Sequence, residues 1–348
     1  MHHQGGTCAV IVRSGALADL QALLAEKHPR ARPVVITDTN VAAARANPLP
    51  GAPCLTFPAG EPSKVRKTWA MLTDQLVAEG CDRETVVIGF GGGVTTDLAG
   101  FVAATYLRGV PWIAIPTSTL AMVDASVGGK TGVDTAAGKN LVGAFHQPSA
   151  VICDLDTLDT LPEANFREGL AEAVKHAAIV DAAYGEWILA HAGAIATRDT
   201  ATMTQLVRRS VECKAAIVIE DERESGRRAI LNAGHTVAHA LESATDFALA
   251  HGEAVGIGLV LETRVAEAMG VCRPGSADQV ARLLSGLHLP VTLPPGLDRA
   301  RCLSAMQVDK KNRGGVIRAA LLASFGVIAR DGDEWTHPLD VEKLKSML

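Results

Sequence analysis

The stretch Thr85-Val-Val-Ile-Gly-Phe-Gly-Gly-Gly-Val-Thr-Thr-Asp-Leu-Ala-Gly100 decides the fold class. Residues 85–90 form a short apolar run rich in β-branched side chains, which reads as a strand buried on both faces. Gly91, Gly92 and Gly93 follow at its carboxyl end, and a helix is expected to run on through Asp97–Thr105. In a parallel sheet, ligands bind outside the carboxyl ends of the strands. Glycines there let backbone N–H groups approach a diphosphate, which the start of a helix also favours. The motif is not a complete G-x-G-x-x-G, and three glycines also suit a plain tight turn, so both readings stay open. Asp97 likewise suits either a helix cap or an acceptor for a ribose hydroxyl.

Working outward, the same alternation repeats. Segments 8–13, 33–38, 54–57, 112–116 and 151–155 read as further short strands, with helical spacing over 16–25 and 64–79. Short apolar strands alternating with helices predict a parallel sheet covered on both faces. After Leu161-Pro162 the period changes: helical spacing dominates from Phe166 to about Leu287, and only 317–323 looks strand-like. Gly234, Gly252, Gly256 and Gly258 are expected at close helix packing or turns. The expectation is an α/β domain over 1–160 followed by a mainly α domain over 161–348.

Bulk properties narrow the function. A chain of 348 residues with 48% hydrophobic content supports two domains with real cores, built on few aromatics (4%). A net charge of −5 argues against a general nucleic-acid binder, which carries a basic excess. No apolar run approaches the ~18 residues of a membrane span. The amino terminus lacks the basic and apolar regions of a signal peptide. Seven scattered cysteines, none in C-x-x-C, fit a reduced cytoplasmic setting.

A second stretch carries the chemistry. In Leu231-Asn-Ala-Gly-His-Thr-Val-Ala-His-Ala-Leu-Glu242, His235 and His239 lie four apart, on one face of a helix. His251 returns after a short break. Convergent imidazoles suit zinc or cobalt. Thr236 stands where a zinc protease would place glutamate, so peptide cleavage is excluded as the use of such a metal. Spacing alone leaves open a helix whose histidines are only partly buried and hydrogen-bonded.

Several long motifs, in order, carry a resemblance. They are Gly91–Gly109, Pro116–Thr131, Gly138–Phe145, Gly169–Lys175, Glu224–His235, His251-Gly252-Glu253 and Asp309–Asn312. The chain resembles the 3-dehydroquinate synthases of the sugar-phosphate cyclase superfamily. The resemblance implies a Rossmann-like, NAD-binding first domain and a helical metal- and substrate-binding second domain, usually as a homodimer. It implies metal ligands at Glu172, His235 and His251 for zinc or cobalt. NAD contacts carry over to Asp38, Glu61, Lys64, Gly92, Gly93, Asp97, Thr117, Ser118, Asp124, Lys139 and Thr160. The phosphate pocket carries over to Lys130, Asn140, Asn232, His239 and one of Lys310 and Lys311, with Arg108 reaching from a partner subunit. Lys214 and Arg228 match the pair that holds the substrate carboxylate, and Lys175 the lysine near its hydroxyls. Departures are modest: Thr96, Ser118-Thr119 and Ala238 replace commoner residues, and the region before Glu61 matches loosely.

The implied reaction turns 3-deoxy-D-arabino-heptulosonate 7-phosphate into 3-dehydroquinate and phosphate, a step of the shikimate pathway. It runs through transient oxidation by NAD, phosphate loss, reduction and an internal aldol closure. Three other readings compete, and the complete ligand and lysine set argues against one of them, a non-enzymatic binding protein on the same scaffold. A cyclase for sedoheptulose 7-phosphate would not need the Lys214–Arg228 pair. A metal-dependent polyol dehydrogenase would release NADH and need neither set of cations.

Overall fold

The computed structural model describes residues 1–3, 6–307 and 316–348. Its first compact unit is Met1–Phe166 and its second Arg167–Leu348, a division slightly beyond the expected boundary at residue 160.

Strands β1 (Ala9–Arg13), β2 (Arg32–Asp38), β3 (Cys54–Phe57), β4 (Thr85–Gly91), β5 (Trp112–Pro116), β6 (Lys130–Thr135), β7 (Gly138–Phe145) and β8 (Ala150–Asp154) belong to the first unit. Six of them pair in parallel in the order β1-β8-β5-β4-β2-β3. Every residue of β4, β5 and β8 is buried, as expected of strands covered on both faces. Helices α1 (Leu20–Lys27), α2 (Thr39–Ala44), α3 (Arg66–Ala78) and α4 (Gly93–Thr105) connect the strands. Leu20 and Leu24 of α1 pack against Val35, Ile88, Ile113 and Ile152 of the sheet. From β2 the chain passes to β3 on one side, and from β4 to β5 on the other. The strand order therefore reverses between β2 and β4, which places a ligand crevice at their carboxyl ends.

Strands β6 and β7 form an antiparallel hairpin outside that sheet. Strand–helix alternation does not predict it, because β7 has no fully buried residue and its apolar pattern is weak. Its glycines give the reason for its closeness. A Cβ on Gly143 would lie 2.2 Å from the Thr131 carbonyl oxygen, so the two strands touch backbone to backbone.

The second unit is built from α5 (Glu163–Val180), whose first turn still belongs to the first unit, and from α6 (Ala182–Ala190), α7 (Ala192–Ala196), α8 (Thr200–Glu220), α9 (His235–Ala244), α10 (His251–Ala268), α11 (Ser276–Gly286), α12 (Arg299–Gln307) and α13 (Val341–Met347). The single strand expected over 317–323 is split. Arg318–Ala319 pairs with His337–Pro338, and Leu322–Ser324 with Val327–Ile328. Both are short antiparallel ribbons, which a single apolar run cannot distinguish from one strand. Among the described residues no helix is long and apolar enough to cross a membrane.

Candidate functional site

In the first unit the glycine turn is shaped by what packs beneath it. A Cβ on Gly91 would lie 2.4 Å from Thr95 Oγ1, so no other residue fits without displacing Thr95. Thr95 in turn donates to Asp38 Oδ2 at 2.9 Å, joining the ends of β4 and β2. The other Asp38 oxygen accepts from the Asn40 and Val41 amides and caps α2. Both Asp38 oxygens are therefore engaged in holding the crevice. The Thr117 amide donates to the Gly91 carbonyl at 2.9 Å, and a Cβ on Gly92 would meet Ser118 Oγ at 3.4 Å. Gly92 gives α4 no side-chain cap, and an anion at this helix start would satisfy its first amides. Asp124 lies in the π-helical turn Ala121–Ala125 that follows.

A second group gathers beside it. Lys64 Nζ pairs with Asp97 Oδ2 at 2.5 Å, both largely buried. Burial works against the Lys64 charge, but Asp97, Glu61 and Asp134 outweigh it and hold its pKa above the ordinary range. Burial raises the Glu61 carboxyl despite Lys64 and Lys139 nearby. Asn140, at φ 53, donates its amide to Asp134 Oδ1 at 2.7 Å, and Lys130 stands exposed at the start of β6. Thr160 sits on a 3-10 turn, where its hydroxyl accepts from Arg45 Nε at 3.1 Å. Arg108 is exposed in a turn whose residues Leu107, Arg108 and Gly109 all have positive φ.

In the second unit Glu172, His235 and His251 bring donor atoms within 4.8 Å of one another. Glu172 lies on α5, and the two histidines open α9 and α10. A Cβ on Gly252 would lie 2.2 Å from the Glu168 carbonyl oxygen. The start of α10 thus abuts α5, one turn before Glu172. Nε2 of His235 and Nε2 of His251 each lie 3.5 Å from Glu172 Oε1, and Lys175 pairs with the other oxygen. Glu172 is 1% exposed; burial alone would raise its pKa, but Lys175 and the two imidazoles hold it well below the carboxylate range. Burial lowers His235 to about 4. It would lower His251 too, but Glu172 and Glu242 raise it to about 10. One carboxylate and two imidazoles, converging at such distances, fit a divalent ion with open positions. His239 projects from the same helix, exposed, its ring centroid 5.5 Å from that of His235, and is outside the donor cluster.

The chain leading into α9 carries the cations. Asp221 accepts from the amides of Ser225, Gly226 and Arg228 and so folds the 221–228 turn. Arg228, 1% exposed, donates from its guanidinium to the Glu222 carbonyl. Asn232 Nδ2 donates to Glu224 Oε1 at 2.7 Å. Lys214 is buried on α8. Lys310 and Lys311 lie outside the described residues. Sequence reasoning missed Glu224, Glu242 and Glu262. Their signal was available for Glu242, which stands seven residues after His235 and so shares its helix face.

A first unit with a parallel sheet and a glycine turn at its switch point, followed along the chain by a helical unit with a Glu–His–His cluster, matches the sugar-phosphate cyclases. Family models for the 3-dehydroquinate synthase N-terminal and C-terminal regions match residues 54–168 and 169–312. The chain belongs to the 3-dehydroquinate synthase family. It is 45% identical over 311 residues to a 3-dehydroquinate synthase of Halorhodospira halophila, covering 88% of each chain. It is 43% identical to one of Acidithiobacillus ferrooxidans, covering 92% of this chain and 90% of that one. Among solved structures it is similar to a 2-epi-5-epi-valiolone synthase of Streptomyces hygroscopicus with NAD+ and Zn2+ bound, at 27% identity and TM-score 0.87, covering 100% of this chain and 97% of that one. The fold also matches a 2-deoxy-scyllo-inosose synthase, at 24% identity and TM-score 0.89, covering 97% of this chain and 95% of that one.

Proposed function

We propose that this protein converts 3-deoxy-D-arabino-heptulosonate 7-phosphate to 3-dehydroquinate and phosphate. The observation that carries the choice of substrate is the burial of Lys214 and Arg228 in the same unit as the Glu172–His235–His251 cluster. A Lys and an Arg buried in one unit form a donor pair that can hold a substrate carboxylate through charge-assisted hydrogen bonds. When bound, NAD supplies a reversible hydride acceptor and a divalent ion a Lewis acid. Glu172, His235 and His251 would hold the ion, and zinc or cobalt suits them. Asp38, Glu61, Lys64, Gly92, Gly93, Asp97, Thr117, Ser118, Asp124, Lys139 and Thr160 would bind NAD in the region 1–160, with metal and carboxylate assigned to 161–348. Asn232 and His239 would orient the phosphate, so that catalysis rests largely on positioning and electrostatics. A homodimer suits the exposed Arg108 turn, and a cytoplasmic setting suits seven free cysteines.

A cyclase for sedoheptulose 7-phosphate is the second reading, favoured by the likeness to a solved synthase named for another product. Phosphate release with each sugar, for wild type and Arg228→Ala, separates the two. Each charge-assisted hydrogen bond to the carboxylate is worth roughly 1.5–3 kcal/mol. Wild type is therefore expected to prefer the heptulosonate by at least about a hundredfold, since ~1.4 kcal/mol is tenfold. Arg228→Ala should remove most of that preference. Equal losses on both sugars would defeat the carboxylate assignment. A rise in NADH in step with product would point to a dehydrogenase instead.

A further inference from the structure

Two buried glutamates outside the donor cluster face each other's helices. Glu242 of α9 lies 3.5 Å, through Oε1, from His251 Nδ1 at the start of α10. Glu262 of α10 reaches back to the start of α9, where Oε2 accepts from the Gly234 amide at 2.8 Å and Oε1 from the Val237 amide at 3.0 Å. Both glutamates are buried.

The Gly234 amide belongs to the same peptide unit as the Ala233 carbonyl. That carbonyl is 3.2 Å from His235 Nδ1. The order is Glu262 carboxylate, Gly234 N–H, Ala233 C=O, His235 Nδ1. Hydrogen bonds chained through one amide polarise each other. Each imidazole thus has its Nδ1 edge fixed by a buried glutamate: His251 directly, His235 across one peptide plane. Each then presents Nε2 to Glu172.

Local backbone explains why Glu262 is needed. Gly234, the residue just before α9, has φ 80 and offers the helix no side-chain cap. The first amides of α9 are orphans that a carboxylate satisfies, with added gain from the helix dipole. A Cβ on Gly258 would lie 2.1 Å from the Gly234 carbonyl oxygen, so α10 and the start of α9 meet backbone to backbone. Only that approach lets a side chain of α10 cap α9.

We propose that Glu242 and Glu262 are positioning residues that form a reciprocal clasp, each fixing the metal-facing tautomer and ring orientation of the histidine on the other helix. The proposal rests on the metal reading of Glu172, His235 and His251. Outer partners of this kind typically contribute 10–100-fold to metal affinity.

The test measures cobalt and zinc dissociation constants by competition with a chromogenic chelator, together with the visible spectrum of the cobalt protein and the melting temperature without metal. Glu242→Gln and Glu262→Gln are each expected to weaken metal binding by about 10–100-fold and to alter the cobalt spectrum. The control is Glu267→Gln. Glu267 Oε1 accepts from the Ala277 amide at 2.9 Å, a similar helix contact away from the histidines. That variant is expected to lower the melting temperature and leave metal affinity unchanged. Should a glutamine variant fail to fold, Glu242→Asp and Glu262→Asp retain the charge but withdraw it by a methylene, and are expected to weaken metal binding in the same direction. Folded variants that bind metal within about twofold of wild type would overturn the clasp. A wild-type protein that binds neither ion would overturn the metal reading and the clasp with it.

Discussion

The two units prepare for their ligands by opposite means. At the carboxyl ends of β2 and β4, the first unit offers backbone, and its side chains serve mainly to hold that backbone in place. Thr95 and Asp38 brace the glycine turn from below, and Gly92 gives α4 no side-chain cap. In the second unit the backbone recedes and charged side chains are buried outright: Glu172, Lys175, Lys214, Arg228, Glu242 and Glu262. A crevice of amides tolerates a neutral state at little cost, whereas a cluster of buried charges is stable only as a complete set. Removing one member of the second site should therefore do more than reshaping the first.

The largest effect is expected at the metal cluster. His235→Ala should lose most bound metal, a greater loss than the 10–100-fold typical of an outer partner. His239→Ala should keep the metal while losing activity. Metal content after gel filtration, read beside phosphate release, checks both. Full metal loss from both variants would mean the ligands are misassigned.

A smaller effect is expected at the glycine turn. In Gly91→Ala the new methyl meets Thr95 Oγ1 at 2.4 Å and must displace it, which also disturbs its bond to Asp38. Overpacking of this kind costs about 1–3 kcal/mol. Urea unfolding should show that loss, and NAD titration a weaker affinity. An unchanged midpoint and NAD affinity would show that the turn is not held from below.

The smallest effect is expected from Asp221 and concerns pH. Burial alone would raise its carboxyl, but the amides of Arg228, Ser225 and Gly226 lower its pKa below the ordinary value. A carboxyl depressed in the folded state stabilises the fold above its unfolded pKa of about 3.9, and that contribution is lost as pH falls through the folded value. Asp221→Asn should lower stability modestly at neutral pH and flatten the dependence on pH in the acid range below about 4. Thermal melts across that range test it; parallel curves for the two proteins would refute the role.

Legibility differed in the same way. The β4 strand, its glycine turn and the parallel sheet could be read from short apolar runs, since a strand buried on both faces leaves a continuous trace. The β6–β7 hairpin left none, because it is half-exposed and its closeness depends on glycines that no period reveals. His235 and His239 shared a helix face in the sequence, yet only His235 joins the donor cluster. That choice depends on where α5 places Glu172. Glu262 was hidden in an apolar helix, and its role became visible only when its partner amides were known.

By itself, then, the sequence determined what is local or periodic: the strands of the sheet, the switch from α/β to helical, the glycine turn, and the family with its ordered motifs. The same motifs named Glu172, His235 and His251 as ligands, but the tertiary structure alone decided which further residues meet them across long separations. It placed Glu242 on His251 and brought Glu262 to the start of α9. The physical reason is that helical and strand periods fix only which way a side chain faces. Which side chains meet depends on how closely the helices approach, and here that was set by Gly234, Gly252 and Gly258, where no side chain keeps two backbones apart.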